Sequence, residues 1–300
     1  MFCGRVSQDI WHYKKQVEKD GSMIGKIKEK ISRYKKGKKD AEKKEPDLTS
    51  RVKTAEENKE RQGWISPNYS QSKRVYLDPG LIAENRCFAH LDNVPEMEAY
   101  RVLRTQIMQR TRGTGCNTIM VTSALPGEGK TITAINLAFT FAREFQHTVL
   151  LVDGDLRKQN IHKYLGYAGD RGLIDYLADS APLPELIKWS GIEKITLISG
   201  GRSCQESAEM LGSPRMKELV SEMKSRYHER YIIFDVPPVL SGADALTFYP
   251  LVDYIIVVVQ AGKTSMDDVK KAVQFLPQEK ILGFALNRCL TSSQSEPYGQ

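Results

Sequence analysis

The chain has 300 residues, 40% of them hydrophobic and 27% charged, with a formal net charge of +7. That length carries one large domain with extensions, or two small ones, and no apolar run approaches the ~20 residues of a membrane-spanning helix. Asp9, Trp11, Lys14 and Lys15 stand where a secretory signal needs an apolar core, and five scattered cysteines without a CxxC pair suit a reducing cytoplasm rather than a zinc site.

Residues 1–80 are polar, rich in Lys and Glu, and read as a largely disordered basic arm. Within residues 24–44, ten Lys and Arg outnumber three Asp and Glu, a surplus equal to that of the whole chain. The remainder is close to neutral, which argues against a nucleic-acid partner. Ile24, Ile27, Ile31 and Tyr34 recur at helical spacing among these lysines. They predict a short amphipathic helix over 24–36, either suited to an anionic membrane surface or a partner's groove, or transient and solvated. A helix over 95–110 follows, with Met97, Tyr100, Leu103 and Ile107 on one apolar face.

Residues 118–122, 148–153, 195–199, 231–235, 254–259 and 281–286 read as strands, and helical patterns fall at 132–145, 210–223 and 267–275. Near-continuous apolar strands alternating with amphipathic helices predict a doubly wound, mostly parallel sheet covered on both faces. The fold class is therefore a three-layer α/β/α domain over 81–290, and the polar residues 291–300 read as a flexible tail.

Between the first of these strands and its helix lies Ala124-Leu125-Pro126-Gly127-Glu128-Gly129-Lys130-Thr131. A strand, a glycine-rich turn ending in Gly-Lys-Thr and a helix make a phosphate-binding P-loop, whose curled main-chain N–H groups point at phosphate oxygens. Pro126, Gly127, Glu128, Gly129, Lys130, Thr131 and Ile132 are the expected contacts to ATP, with Lys130 reaching the β and γ phosphates and the Thr131 hydroxyl on Mg²⁺. Two further strands end in acid, Asp153-Gly154-Asp155-Leu156-Arg157 and Asp235-Val236-Pro237-Pro238, on the ligand side of a parallel sheet. Asp235 and Asp155 are candidate magnesium ligands, and Asp153 a candidate acceptor for a hydroxyl proton. The alternatives are helix capping for Asp153 and Asp155 and a turn before the prolines for Asp235. Arg157 fits either a phosphate or an acidic neighbour, and Asn287 either the adenine edge or a turn.

These motifs together resemble the bacterial tyrosine kinases, and more closely the capsular and exopolysaccharide tyrosine autokinases, including the exosortase-associated branch. The resemblance spans roughly residues 80–290 and includes Glu98-Ala99-Tyr100-Arg101-Val102-Leu103-Arg104, similar to the family's Glu-x-x-Arg-x-x-Arg helix. It implies that Lys130 and Thr131 serve ATP and magnesium, that Asp155 and Asp235 hold the metal, and that Asp153 is the base for a tyrosine hydroxyl. It further implies a homo-oligomeric ring joined through Glu98, Arg101 and Arg104; read without the family, those residues make an ordinary ion pair on an exposed helix. A membrane chain-length-determining polysaccharide co-polymerase is the implied partner, which places the chain in the cytoplasm at the inner membrane face. Family tails carry a tyrosine cluster, whereas residues 291–300 hold only Tyr298. Tyr298 is thus a minimal phosphoacceptor, or the acceptor lies elsewhere.

Two other readings remain. ParA/MinD-type ATPases carry a second lysine just after the first residue of the loop, where this chain has Leu125. A non-catalytic nucleotide-binding regulator of the same membrane assembly is the other.

Overall fold

The computed structural model describes residues 3–5, 72–87, 95–169, 171–192, 194–227 and 229–289. The predicted helix at 24–36 and the tail with Tyr298 lie outside them.

The strands are β1 (Cys3–Arg5), β2 (Lys73–Arg74), β3 (Thr118–Ser123), β4 (Thr148–Asp153), β5 (Lys188–Trp189), β6 (Ile195–Ile198), β7 (Arg230–Asp235), β8 (Tyr254–Gln260) and β9 (Ile281–Asn287). They form one sheet in the order β1-β9-β8-β3-β7-β4-β6-β5-β2. Every neighbouring pair is parallel except β5 with β6. The helices are α1 (Pro79–Glu84), α2 (Pro95–Thr111), α3 (Lys130–Ala142), α4 (Ile161–Leu165), α5 (Leu173–Asp179), α6 (Leu183–Leu186), α7 (Ser207–Leu211), α8 (Pro214–Arg226), α9 (Asp244–Phe248) and α10 (Met266–Gln274).

The period-two geometry of a strand sorts the apolar runs into two cores. Ile119, Val121, Val149, Leu151 and Ile233 pack with Tyr100 and Leu103 of α2 and Ile135 and Phe139 of α3. Met120, Leu150, Val152, Ile232 and Phe234 face the other way, onto Leu173, Leu211, Leu219 and Val220. A strand buried on both faces has no polar side to show, which is why these segments read as unbroken apolar runs. The chain leaves β3 for β4 on one side and returns to β8 on the other. This reversal of strand order opens a crevice at the carboxyl ends of β3, β4 and β7.

Three boundaries differ from expectation. The helix predicted over 210–223 is two, α7 and α8, parted at Gly212 and Ser213; Ser213 caps α8 by accepting the Met216 N–H at 3.1 Å, and Pro214 opens it. The helix after the P-loop begins two residues early, at Lys130, because Gly129 supplies the left-handed turn that starts it. The third lies in the segment assigned to the arm, which contributes β1 and β2 to opposite edges of the sheet and α1, capped by Asp78. Strands of two or three residues pair through their backbones and leave no side-chain period to read.

Candidate active site

At the carboxyl end of β3 the chain turns through Gly127 and Gly129, at φ of 82° and 94°. Both lie in the left-handed region that favours glycine. At Gly129 the space is also closed, since a Cβ would lie 2.0 Å from Asn287 Nδ2. The loop is braced from the β8–β9 side. Glu128 is buried, with Oε2 accepting the Leu125 N–H at 2.6 Å and Oε1 accepting from the Gln260 N–H and the Thr264 hydroxyl. Asn287 Nδ2 donates to the Glu128 carbonyl at 2.9 Å, and its Oδ1 accepts the Arg288 N–H. Both ends of the Asn287 amide are therefore engaged. In this structure the residue holds the loop's shape, and the second hydrogen of Nδ2 and second lone pair of Oδ1 leave the adenine-edge reading open. Any contact of Glu128 with a nucleotide falls to its main chain. Pro126 and Gly127 are exposed, and Ile132 is half-buried in the first turn of α3. Gln260 and Thr264 gave no sequence signal, being ordinary polar residues whose value lies in meeting Glu128.

Beneath the loop, one ammonium contacts two carboxyl groups, with a third close by. Lys130 Nζ lies 2.9 Å from Asp155 Oδ2 and 3.2 Å from Asp235 Oδ1. The Thr131 hydroxyl donates to Asp235 Oδ2 at 2.6 Å. Asp153 and Asp235 stand opposite each other at the ends of paired strands β4 and β7. Asp153 Oδ2 accepts the N–H groups of Asn160 and Ile161 at 3.0 and 3.1 Å, and its Oδ1 that of Asp155 at 3.3 Å. Asp155 Oδ1 accepts the Lys158 N–H at 2.9 Å. Asp153 thus meets the N-terminus of α4, as its capping alternative has it, whereas Asp155 accepts the Lys158 N–H in a bend outside any helix while its other oxygen faces Lys130.

Charge here is out of balance. Burial, then the neighbouring Asp235, pushes the Asp153 carboxyl up to about 8. Burial also raises Asp235, against the pull of Lys130 and Thr131. For Lys130, burial favours the neutral amine, but Asp235 and Asp155 outweigh it and hold the ammonium charged. A buried site with more carboxylates than cations favours a proton or an incoming metal ion.

The donor set fits magnesium. Among the described residues no cluster of three acidic, His or Cys groups forms a self-sufficient metal cage. Magnesium does not require one; it takes one or two carboxylates, keeps waters and shares phosphate oxygens. Asp155, Asp235 and the Thr131 hydroxyl are hard oxygen donors gathered at one point.

Arg157 takes the acidic-neighbour alternative, with Nε 2.6 Å from Ser207 Oγ and 3.4 Å from Asp244 Oδ1. Glu98 and Arg101 form an exposed pair at 3.2 Å on α2. Arg104 departs from the expectation of an intersubunit contact. It donates to the Thr140 carbonyl at 3.0 Å and pairs with Glu144 at 2.7 Å, tying α2 to the end of α3 within one chain.

Comparison with known proteins follows the same lines. The AAA domain family model matches residues 116–282, from the strand before the P-loop to β9. Over 204 residues the chain is 35% identical to tyrosine-protein kinase YwqD of Bacillus subtilis (strain 168), a match covering 67% of this chain and 84% of that one. The chain belongs to the bacterial tyrosine-protein kinases. This kinase is also 33% identical over 196 residues to the succinoglycan biosynthesis transport protein ExoP of Rhizobium meliloti (strain 1021); that match covers 64% of this kinase and 25% of the longer ExoP. The solved kinase domain of the Escherichia coli tyrosine kinase ETK matches with a TM-score of 0.63 at 27% identity, covering 80% of this kinase and 97% of that domain.

Proposed function

We propose that this kinase transfers the γ-phosphoryl group of ATP to protein tyrosine, its own included, within a membrane-docked assembly for capsular or exopolysaccharide synthesis and export. The observation that carries the reading is the seat of Lys130, at the base of the P-loop between Asp155 and Asp235. Phosphoryl transfer through a loose transition state asks mainly for positioning and charge neutralisation, and this cluster is suited to both. The P-loop amides and Lys130 bind the triphosphate. Thr131, Asp155 and Asp235 hold magnesium, which when bound supplies positive charge that offsets the phosphates and draws the neighbouring carboxyls toward ionisation. The tyrosine oxygen bonds to the γ phosphorus as the bond to the β–γ bridging oxygen breaks. ADP leaves with that electron pair, and the phenolic proton goes to Asp153. Around neutrality burial keeps Asp153 largely protonated in the nucleotide-free chain, so its role as base depends on the charge brought in with the substrate.

The polysaccharide setting rests on the family and on relatives such as ExoP, whose name specifies succinoglycan biosynthesis transport. The finer proposals are a chain-length-determining co-polymerase as membrane partner, membership of the exosortase-associated branch, and peripheral attachment at the inner face. Attraction of the basic arm to anionic lipid at ~1 kcal/mol per basic residue near the surface would assist the last of these. No helix among the described residues is long and apolar enough to cross a membrane. We further propose a ring of subunits with Glu98 and Arg101 at the contact. Against a sandwich-dimer ATPase, Leu125 stands where the partner-reaching lysine would be.

Incubation with Mg-ATP followed by phosphopeptide mapping tests the proposal. Phosphotyrosine is expected, at Tyr298 if the tail is the acceptor, and lost on that peptide in Tyr298→Phe. Tight ATP binding without phosphotyrosine anywhere would instead favour the non-catalytic regulator.

A further inference from the structure

Immediately beyond Asp155 the chain runs through Arg157, Lys158, His162 and Lys163, and these line one wall of an open cleft of about 540 Å³. Gly201 and Ser203, in the connection after β6, form the facing wall. The cleft is registered to the reacting centre by main-chain bonds. Lys158 N–H donates to Asp155 Oδ1, and Asn160 and Ile161 N–H donate to Asp153 Oδ2. The two walls are joined where the Ser203 hydroxyl donates to the Arg157 carbonyl at 3.1 Å.

The charge of this cleft is one-sided. None of its described lining residues is acidic. Arg157 is engaged by Ser207 and Asp244. Burial, Lys163 and Lys188 move His162 toward its neutral form. Lys158 and Lys163 remain as cations, and neither enters an ion pair among the described residues. Two exposed ammonium groups, fixed by their backbone beside the carboxylates that handle phosphate, would attract an anionic segment and set its register.

We infer that this cleft is the acceptor-peptide site and that it selects tyrosines with an acidic residue close by, through Lys158 and Lys163. The inference rests on the kinase reading above and specifies the substrate class of that site. The chain's own tail carries such a segment, Ser295-Glu296-Pro297-Tyr298, with the carboxylate two residues before the tyrosine. Lys158 and Lys163 would act on the peptide and not on the transferred phosphoryl group, so they are specificity residues.

The test uses the full chain and two synthetic peptides, the sequence of residues 291–300 and its Glu296→Gln analogue. KM for phosphorylation in Mg-ATP and affinity from fluorescence anisotropy of labelled peptide are both measured. Wild type is expected to favour the glutamate peptide roughly fivefold, less as salt rises. The double change Lys158→Gln, Lys163→Gln should bring that ratio to one, and Lys158→Glu with Lys163→Glu should invert it. Equal binding of both peptides by wild type, or an unchanged ratio in the variants, would overturn the inference. A wild-type binding preference without phosphate transfer to any tyrosine would sink the kinase chemistry and leave the charge-selective cleft standing, so the two failures are distinguishable.

Discussion

Lys130 is the cation that Asp155 and Asp235 share, and Asp153 adds a third carboxyl to the same buried volume. Lys130→Met removes the phosphate-reaching group and leaves two carboxylates facing each other without a counter-ion. Phosphotyrosine formation should be abolished, as read by anti-phosphotyrosine blot. Breaking a buried pair from one side costs ~3–5 kcal/mol when the remaining charge persists, but these carboxyls can escape by taking up protons. The variant's loss of Tm should therefore be larger at pH 8 than at pH 5.5, which calorimetry at the two pH values checks. Asp153 sets a related pH dependence in the wild type. Between the ordinary carboxylate range and about 8, the folded chain keeps a proton on Asp153 that the unfolded chain has released. Stability therefore falls as pH rises through that window. Asp153→Asn carries no such proton and should flatten the fall of Tm between pH 5 and 8; an unchanged slope would place the titration elsewhere.

At the level of elements, α2 and α3 are joined in two ways. The apolar face of Met97, Tyr100, Leu103 and Ile107 is buried as its spacing implied, and Arg104 adds a polar clasp to Thr140 and Glu144. Along a helix, each third residue lies ~60° further round, so Arg104 is ~120° from Glu98 and turned toward α3. The Glu-x-x-Arg-x-x-Arg pattern looks like one ladder in sequence and divides between two surfaces in space. Arg104→Ala should lower unfolding free energy by about 1–3 kcal/mol in urea titration, through lost charge-assisted hydrogen bonds. Glu98→Ala should cost only ~0.2–0.5 kcal/mol, as an exposed i,i+3 pair does. Similar losses in the two variants would show that the clasp contributes nothing special.

For the whole molecule, oligomerisation separates from stability at the same helix. If the ring forms through Glu98 and Arg101, the double change Glu98→Ala, Arg101→Ala should shift sedimentation toward monomer while the urea midpoint moves little. Arg104→Ala tests the reverse, loss of stability first.

How much of this was open to reading depends on the distance over which each feature is determined. The P-loop was legible because strand, turn and helix are adjacent in the chain and the two glycines mark its turn, although Asn287, Gln260 and Thr264 brace it from afar. The two-sided sheet was legible for a similar reason, since burial on both faces leaves a continuous apolar run in each strand. The acidic strand ends were visible as Asp153 and Asp235 separately. Their meeting opposite each other depends on β7 entering the sheet between β3 and β4, which no local pattern states. Asn287, Glu128, Thr264 and Arg104 have side chains with several satisfying partners, so the packing of distant elements chose among them. The sequence by itself determined a triphosphate loop in a parallel α/β sheet, because those depend on short-range backbone conformation and periodic burial. Only the tertiary structure decided which charges face one another, because strand order and helix rotation set distances between residues far apart in the chain.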